Sequence, residues 1–143
     1  MKKVILICSV IMIFACLSHA NDTYPVTESD KDFFSLIQKA LLRGDTEWLS
    51  QALSSYPFTV NMGNEHIELK SEKDLKKYAK KIFNSELKDD VRKQSSESLF
   101  KNWQGVMIGN GDIWFSEMGE KHGTNIVWRY QIIAINVPHD QSK

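Results

Sequence analysis

The chain has 143 residues, with 18 lysine and arginine residues against 18 aspartate and glutamate residues, so its formal charge is zero. This length fits one domain of ordinary size. The charged fraction of 25% and the mean hydropathy of −0.34 are typical of a soluble globular chain and exclude a disordered or fibrous one. A neutral chain also lacks the basic surplus of nucleic-acid-binding domains, so nucleic acid is not an expected partner.

The first twenty residues have the three parts of a secretory signal peptide. A short basic start precedes an apolar run over residues 4–15, and the small residues Ser18 and Ala20 stand at the −3 and −1 positions of a cleavage site. The apolar run is shorter than the ~20 residues that a membrane span requires. We therefore expect export, cleavage after Ala20, and a periplasmic or secreted mature protein.

An alternative processing site lies within the same segment. Residues 13–16 resemble a bacterial lipobox, which would leave the protein tethered to the membrane by a lipid on Cys16. Bulky Phe14 stands where that motif prefers a small residue, so cleavage after Ala20 is the favoured prediction. The other cysteine is Cys8, so that cleavage leaves a mature chain without thiols, which excludes disulfides, thiol chemistry and cysteine-bound zinc.

One domain is predicted for the mature chain, over residues 29–137. A polar lead at residues 21–28 precedes this domain, and a polar tail at residues 138–143 follows it. No internal repeat or low-complexity segment interrupts the sequence, so a single core is expected.

The first half of the domain combines helical and strand periodicity. Apolar residues at helical spacing predict one helix from Ser29, with Asp32 completing a capping box, to a stop at Gly44. A second, short helix over residues 45–57 follows, capped by an aspartate and ended by a proline. Alternation over residues 58–69 predicts a hairpin, and a third helix is expected over residues 71–83.

The second half of the domain is predicted to be mostly sheet. The polar stretch over residues 85–98 is expected to hold at most one short strand, around Val91. Runs at 106–108 and 113–115 flank Asn110-Gly111, a strong hairpin signal because both residues accept a positive φ. Residues 125–137 predict one long final strand. Helices followed by a meander indicate an α+β fold, with helices packed on one face of a curved antiparallel sheet.

One run within this half is distinctive. Residues 99–115 read LFKNWQGVMIGNGDIWF, which is similar to a motif of exported bacterial proteins whose role is largely uncharacterised. Together with the order of elements over residues 29–137, it resembles the nuclear-transport-factor-like, or ketosteroid-isomerase-like, superfamily. The resemblance implies a strongly curved sheet that forms a cone, with a helical corner closing one side of a conical pocket. It implies no particular activity, because members include isomerases, dehydratases, hydrolases and binding proteins.

Strict alternation sorts the side chains of the last strand onto two faces. Even-numbered residues from Ile126 to Ala134 are expected on one face and odd-numbered residues from Val127 to Ile135 on the other. Both sets are largely apolar, so we expect helices to cover one face and a partner or ligand the other. Arg129 and Gln131 form a polar pair that could bind an anionic or carbonyl group. The alternative is an outer-face pair at solvent or at a dimer seam.

Three further side chains are candidates for ligand binding. Asp112 and His66 are the carboxylate and the imidazole that acid–base chemistry would require. Asp112 directly follows a predicted turn, so a solvated hairpin tip is the expected alternative for it, and a solvent role is the alternative for His66. Trp103 could form part of the floor of a ligand-binding pocket, because Gly105 before a strand permits a bulge or the close approach of another backbone.

Two functions from different classes fit the sequence. The favoured one is an exported, non-enzymatic module that binds a small ligand or an envelope protein, and an immunity or inhibitor protein belongs to this class. The alternative is a small hydrolase or isomerase in which a pocket carboxylate or histidine acts while Arg129 orients the substrate. No cofactor is expected, and the mature histidines His66, His122 and His139 lack the spacing of a metal site. A homodimer through the sheet is a further prediction.

Overall fold

A computed structural model describes residues 23–137, in which four α-helices and six β-strands form one sheet and its helical cover. The expected signal peptide, its cleavage site, both cysteines and the polar tail lie outside the described residues. The elements in chain order are α1 (Glu28–Arg43), α2 (Thr46–Ala52), β1 (Phe58–Met62), β2 (Glu65–Leu69), α3 (Glu72–Ile82), α4 (Ser85–Lys93), a 3₁₀ turn (Ser96–Ser98), β3 (Phe100–Asn102), β4 (Gly105–Ile108), β5 (Ile113–His122) and β6 (Asn125–Val137).

Helix α1 has its N-cap at Thr27, two residues earlier in the chain than the predicted start at Ser29. Its capping box joins Thr27 and Asp30, not Ser29 and Asp32: the Asp30 amide donates to Thr27 Oγ1 at 3.2 Å, and the Thr27 amide donates to Asp30 Oδ2 at 2.7 Å. The predicted stop at Gly44 is confirmed. Threonine and aspartate three residues apart satisfy two amides at once, which explains why the helix begins there.

The polar stretch after α3 forms a helix, so the predicted short strand around Val91 is wrong. Asn84 caps helix α4 by accepting a hydrogen bond from the Leu87 amide at 2.9 Å. Leu87 and Val91 are four residues apart and both are fully buried, while the rest of the helix is polar. Two apolar side chains on one helix face are enough to attach this short helix to the core, although they are too few to show a clear period in the sequence.

The six strands form one open sheet in the order β2-β1-β6-β5-β4-β3. The α+β class is confirmed: a helix pair, a β-hairpin, a second helix pair and a four-stranded meander follow one another, and the arrangement is compatible with a cone-like fold. The sheet is mixed and not wholly antiparallel as predicted, because β1 and β6 run parallel, with Val60 opposite Ile135. The chain leaves β1 through a hairpin, crosses over through α3, α4 and the β3–β5 meander, and returns beside β1 in the same direction.

A bulge between β5 and β6 changes the faces expected for the last strand. Trp114 pairs with Ala134 and Phe115 pairs with Ile132, which leaves Ile133 as an extra residue on β6. Ile132 and Ile135 are therefore both buried on the core side, whereas strict alternation placed them on opposite faces. A bulge inserts one residue into one strand and so reverses the alternation beyond it.

Candidate functional site

The far end of the β5–β6 hairpin is a two-stranded ribbon, residues 116–131, without a neighbouring strand. β4 pairs with β5 only as far as Phe115, and the other edge of β6 is paired only from Ile132 onward. Within residues 23–137 no further strand flanks the ribbon, and every residue from 121 to 129 is exposed. Unpaired strand edges present backbone donors and acceptors to solvent, and they are a template for pairing with another chain.

Large apolar side chains lie on the exposed part of this ribbon. Ile126 and Trp128 are each 61% exposed, on the face that Tyr130 continues toward helix α1. A Cβ built on Gly119, which is opposite Trp128, would lie 3.2 Å from the indole ring and 3.0 Å from Ile126. Glycine at this position therefore lets both side chains lie across the ribbon as one apolar surface. Exposed aromatic residues are enriched where proteins bind one another.

Arg129 and Gln131 lie on the opposite, outer face of the ribbon. Gln131 Nε2 donates to Glu120 Oε1 at 2.7 Å, and His122 Nε2 lies 3.5 Å from the other oxygen of Glu120. The amide of Gln131, and then His122, hold the pKa of Glu120 below its usual value. Arg129 is exposed, opposite Met118. The predicted polar pair thus belongs to a solvated surface cluster.

Asp112 lies in the β4–β5 turn and is only 8% exposed, which differs from the solvated hairpin tip expected for it. The turn folds back over its carboxylate, so that a Cβ added at Gly109 would overlap it. Burial raises the pKa of Asp112, and a long hydrogen bond of 3.4 Å from the Asn110 amide offsets this only in part. The backbone carbonyl of Asp112 also accepts a hydrogen bond from the Asn136 amide at 2.7 Å.

The five predicted ligand-binding residues do not converge on one pocket. His66 is exposed on β2, opposite Asn61, and Trp103 is 78% exposed in the turn between β3 and β4. Arg129 lies opposite Met118 on β5. Met118 follows Asp112 by six positions, which corresponds to about 20 Å of extended strand. Only Arg129 and Gln131 share a face, so the arrangement provides no common position at which a substrate could meet all of these groups.

A buried polar network that sequence reasoning missed centres on Asp30, which is 1% exposed. Its carboxylate accepts hydrogen bonds from Lys101 Nζ at 2.8 Å, from the Tyr130 hydroxyl at 3.0 Å and from the Thr27 amide. Burial alone would raise the pKa of Asp30, but these donors outweigh it and lower the pKa. An ionised and fully hydrogen-bonded carboxylate fits a structural role. The spacing of Thr27 and Asp30 was the signal available in the sequence.

In the described part of the chain, residues 23–137, clefts lie among the helices, away from the ribbon, and two of them are sizeable. The larger has a volume of about 270 Å³ and is lined by residues of α1, α2, α3 and α4 and the junctions between them. The smaller, of about 150 Å³, lies between α1 and α2 beside Leu36, Arg43 and Trp48. Neither cleft contains a side chain that the sequence predicted to bind a ligand.

Comparisons of the chain with protein-family models, with curated proteins and with solved structures find no match. Over the described range 23–137, no helix combines the length and the apolar character needed to cross a membrane. In that same range, no cluster of three or more histidine, cysteine, aspartate or glutamate side chains could hold a metal ion.

Proposed function

We propose that this chain is an exported, non-enzymatic binding module that binds a protein partner through the ribbon. The observation that carries the proposal is the exposure of Ile126 and Trp128 on a ribbon whose edges are unpaired within the described part of the chain. A two-stranded hairpin alone is only marginally stable in water. A partner that covers the apolar surface and pairs with a free edge would stabilise the ribbon.

The partner that suits this surface is an extended segment of another envelope protein. Such a segment can add a strand to the edge of β5 or β6, while Trp128 enters an apolar pocket of the partner. Main-chain hydrogen bonds then supply affinity, and the indole supplies specificity. An immunity or inhibitor protein is one kind of module that acts by such contacts. A second copy of this chain is the competing partner.

We also propose that the chain belongs to the nuclear-transport-factor-like superfamily and that it is exported to the periplasm. The helical corner α1–α2, the six-stranded bulged sheet and the run over residues 99–115 support the superfamily. The basic start, apolar run and small residues before Asn21 support export, with lipidation at Cys16 as the alternative. The hydrolase or isomerase alternative gains no comparable support, because Arg129, Asp112 and His66 are dispersed.

The test compares two exposed tryptophans. Wild-type protein, Trp128→Ser and the matched control Trp103→Ser are each used to capture proteins from an envelope extract of the host. We expect a specific protein to be retained by wild type and by Trp103→Ser and to be lost with Trp128→Ser. Both indoles are largely exposed, so neither change should unfold the domain, and circular dichroism checks this.

Three results would overturn the proposal. Equal retention by wild type and Trp128→Ser would show that the ribbon is not the binding surface. The absence of any retained protein would contradict the existence of an envelope partner. If the retained protein is a differently tagged copy of this chain, the ribbon is a dimer seam. Light scattering at micromolar concentration would then give twice the monomer mass for wild type and the monomer mass for Trp128→Ser.

A further inference from the structure

The turn between β4 and β5 presents an exposed asparagine directly before a glycine. Asn110 is exposed, and within residues 23–137 its side-chain amide forms no hydrogen bond. Over the same residues the backbone N–H of Gly111 has no acceptor, whereas the next N–H, that of Asp112, donates to the Ile108 carbonyl at 3.0 Å. Glycine has no side chain to shield its nitrogen, so a neighbouring group can approach it closely. The side chain of Asn110 and the nitrogen of Gly111 are therefore both available for reaction.

These two groups can react with each other to form a cyclic succinimide. The Gly111 nitrogen attacks Cγ of Asn110, a new N–Cγ bond forms, and the side-chain nitrogen leaves as ammonia with the proton that the Gly111 nitrogen loses. Water then opens the ring. Cleavage of the N–Cγ bond gives aspartate, and cleavage of the bond between the Gly111 nitrogen and the main-chain carbonyl carbon gives isoaspartate. The net reaction consumes water, releases ammonium and replaces a neutral amide by a carboxylate.

We propose that Asn110 is a site of spontaneous deamidation in the folded protein, and that its conversion to isoaspartate weakens the attachment of the β4–β5 turn to β6. Of all the asparagines in the chain, only Asn110 precedes a glycine. Other asparagine side chains are engaged: Asn84 accepts the Leu87 amide at the start of α4, and Asn61 donates to Asn136. The reaction requires only water as co-reactant, and the site is independent of the ribbon.

Hydrogen bonds fix the turn on both sides of the reacting bond. The Gly111 carbonyl accepts from Asn136 Nδ2 at 2.6 Å, and the Asp112 carbonyl accepts from the Asn136 amide at 2.7 Å. On the other side, the Gly109 amide donates to Gln94 Oε1 at 2.6 Å. Isoaspartate adds one methylene to the main chain between these anchors. The anchors cannot all keep their present lengths, so the contacts with Asn136 on β6 should weaken.

A carboxylate at position 110 also lies near a like charge. The Asn110 amide is 3.4 Å from Asp112 Oδ2, and Asp112 is 8% exposed. Glu86 and Asp90 on α4 already act on Asp112 as like charges. Repulsion between carboxylates is stronger where they are partly removed from water. Aspartate and isoaspartate both introduce this charge, but only isoaspartate adds the methylene, so the two effects can be separated.

The test measures deamidation in the native and in the unfolded state. Purified protein is incubated at mildly alkaline pH, with and without urea, and the acidic products are resolved by ion exchange and located by peptide mass mapping. We expect modification at Asn110, at a native rate less than about tenfold below the unfolded rate, because the exposed turn engages neither reacting group. Asn64 is the internal control and should stay unmodified, because it is also exposed in a hairpin turn but precedes a glutamate.

Two variants separate the chemistry from its structural effect. Asn110→Gln lengthens the reacting side chain and should abolish the acidic product, and circular dichroism checks that it is folded. Asn110→Asp has the new charge without the extra methylene. Hydrogen exchange of the Asn136 amide should therefore be at least about tenfold faster in the isoaspartate fraction of incubated wild type than in Asn110→Asp.

Three results would overturn the inference. Native-state protection of about tenfold or more would show that the folded turn prevents the reaction. Equal modification of Asn64, or an unchanged acidic product in Asn110→Gln, would show that Asn110 is not the site. Equal exchange of the Asn136 amide in the isoaspartate fraction and in Asn110→Asp would contradict the weakened attachment to β6. The capture experiment with Trp128→Ser tests a different surface, so its outcome is distinguishable from all of these.

Discussion

Asp30 and Asp112 are both buried carboxylates, yet their surroundings act on them in opposite directions. Asp30 accepts hydrogen bonds from Lys101, Tyr130 and Thr27, and its pKa is lowered despite burial. For Asp112 burial dominates, and its pKa is raised. Donors that favour the ionised form lower a carboxyl pKa, whereas desolvation raises it. The two residues therefore contribute to stability in different ranges of pH.

This difference predicts opposite pH dependences for Asp30→Asn and Asp112→Asn. The stabilisation from Asp30 is present above its ordinary pKa of 3.8 and is lost as the pH falls through its lower folded value. Asp30→Asn should thus cost about 2 kcal/mol at pH 7 and less at pH 3, because it leaves Lys101 partly buried without its partner. Urea unfolding at several pH values measures both free energies.

For Asp112 the pH dependence of its contribution to stability has the opposite sign. Its pKa is raised above 3.8, so its favourable contribution is present in acid and is lost as the pH rises through the folded value. Asp112→Asn should therefore become less costly, or stabilising, between pH 3 and pH 7. The exposed residue Asp32 supplies the control, and Asp32→Asn should change stability by less than about 0.5 kcal/mol. Parallel pH profiles for the two buried variants would contradict the assignment.

Among the elements, the start of β4 shows how closely two strands approach. Gly105 has a φ of +138°, and a Cβ built there would lie 2.5 Å from the carbonyl oxygen of Phe115 on β5. The prediction that this glycine permits the close approach of another backbone is confirmed. Any side chain at the position would push β5 away just before the bulge beside Phe115, where β5 and β6 change register.

Gly105→Ala should therefore lower the free energy of unfolding by about 2–3 kcal/mol, from backbone strain and from displacement of β5. Gly123, in the turn between β5 and β6, is the control, because its φ is +62° and a Cβ there meets no atom within 4 Å. Asparagine tolerates that conformation, so Gly123→Asn should cost less than about 1 kcal/mol. Equal losses in urea unfolding would show that the contact with Phe115 is unimportant.

In the whole molecule, the helices cover only part of one face of the sheet. The core joins α1–α4 to β1, β2, β4 and the inner halves of β5 and β6. Phe33 stacks on Tyr130 with ring centroids 5.3 Å apart, and the helical cover ends near this contact. Beyond it the ribbon has Ile126 and Trp128 exposed. Over residues 23–137 the chain thus combines a core without cysteine with an apolar surface left open to solvent.

Cleavage of the proposed signal peptide would change the mass of the whole protein and remove its cysteines. If export and cleavage occur as proposed, protein purified from the envelope has the mass of residues 21–143, beginning at Asn21. Its unfolding midpoint should be the same with and without a reducing agent, because both cysteines have been removed. A mass that includes an acylated Cys16 would contradict cleavage after Ala20 and would indicate a tethered protein.

Much of the fold could be predicted because its signals are local. The stop at Gly44, the position of the β4–β5 hairpin and the bounds of the final strand, Asn125–Val137, all agree with the sequence analysis. The hairpin turn itself differs, because it spans residues 109–112 and its positive φ angles belong to Gly109 and Gly111, not to Asn110. A left-handed C-cap, a glycine turn and a run of β-branched residues each depend on neighbours within a few positions. Helix α4 was missed because its burial depends on two side chains meeting a distant core.

The sequence alone determined the α+β class, the helices α1 to α3, the β1–β2 hairpin and the final strand, since periodicity and turn chemistry act within short segments. Only the tertiary structure decided the parallel pairing of β1 with β6, the bulge at Phe115 and the network that joins Asp30 to Lys101 and Tyr130. In that network, Asp30 is hydrogen-bonded to residues that follow it by 71 and 100 positions in the sequence. Such contacts depend on how the elements pack against one another, and no local pattern of residues encodes that packing.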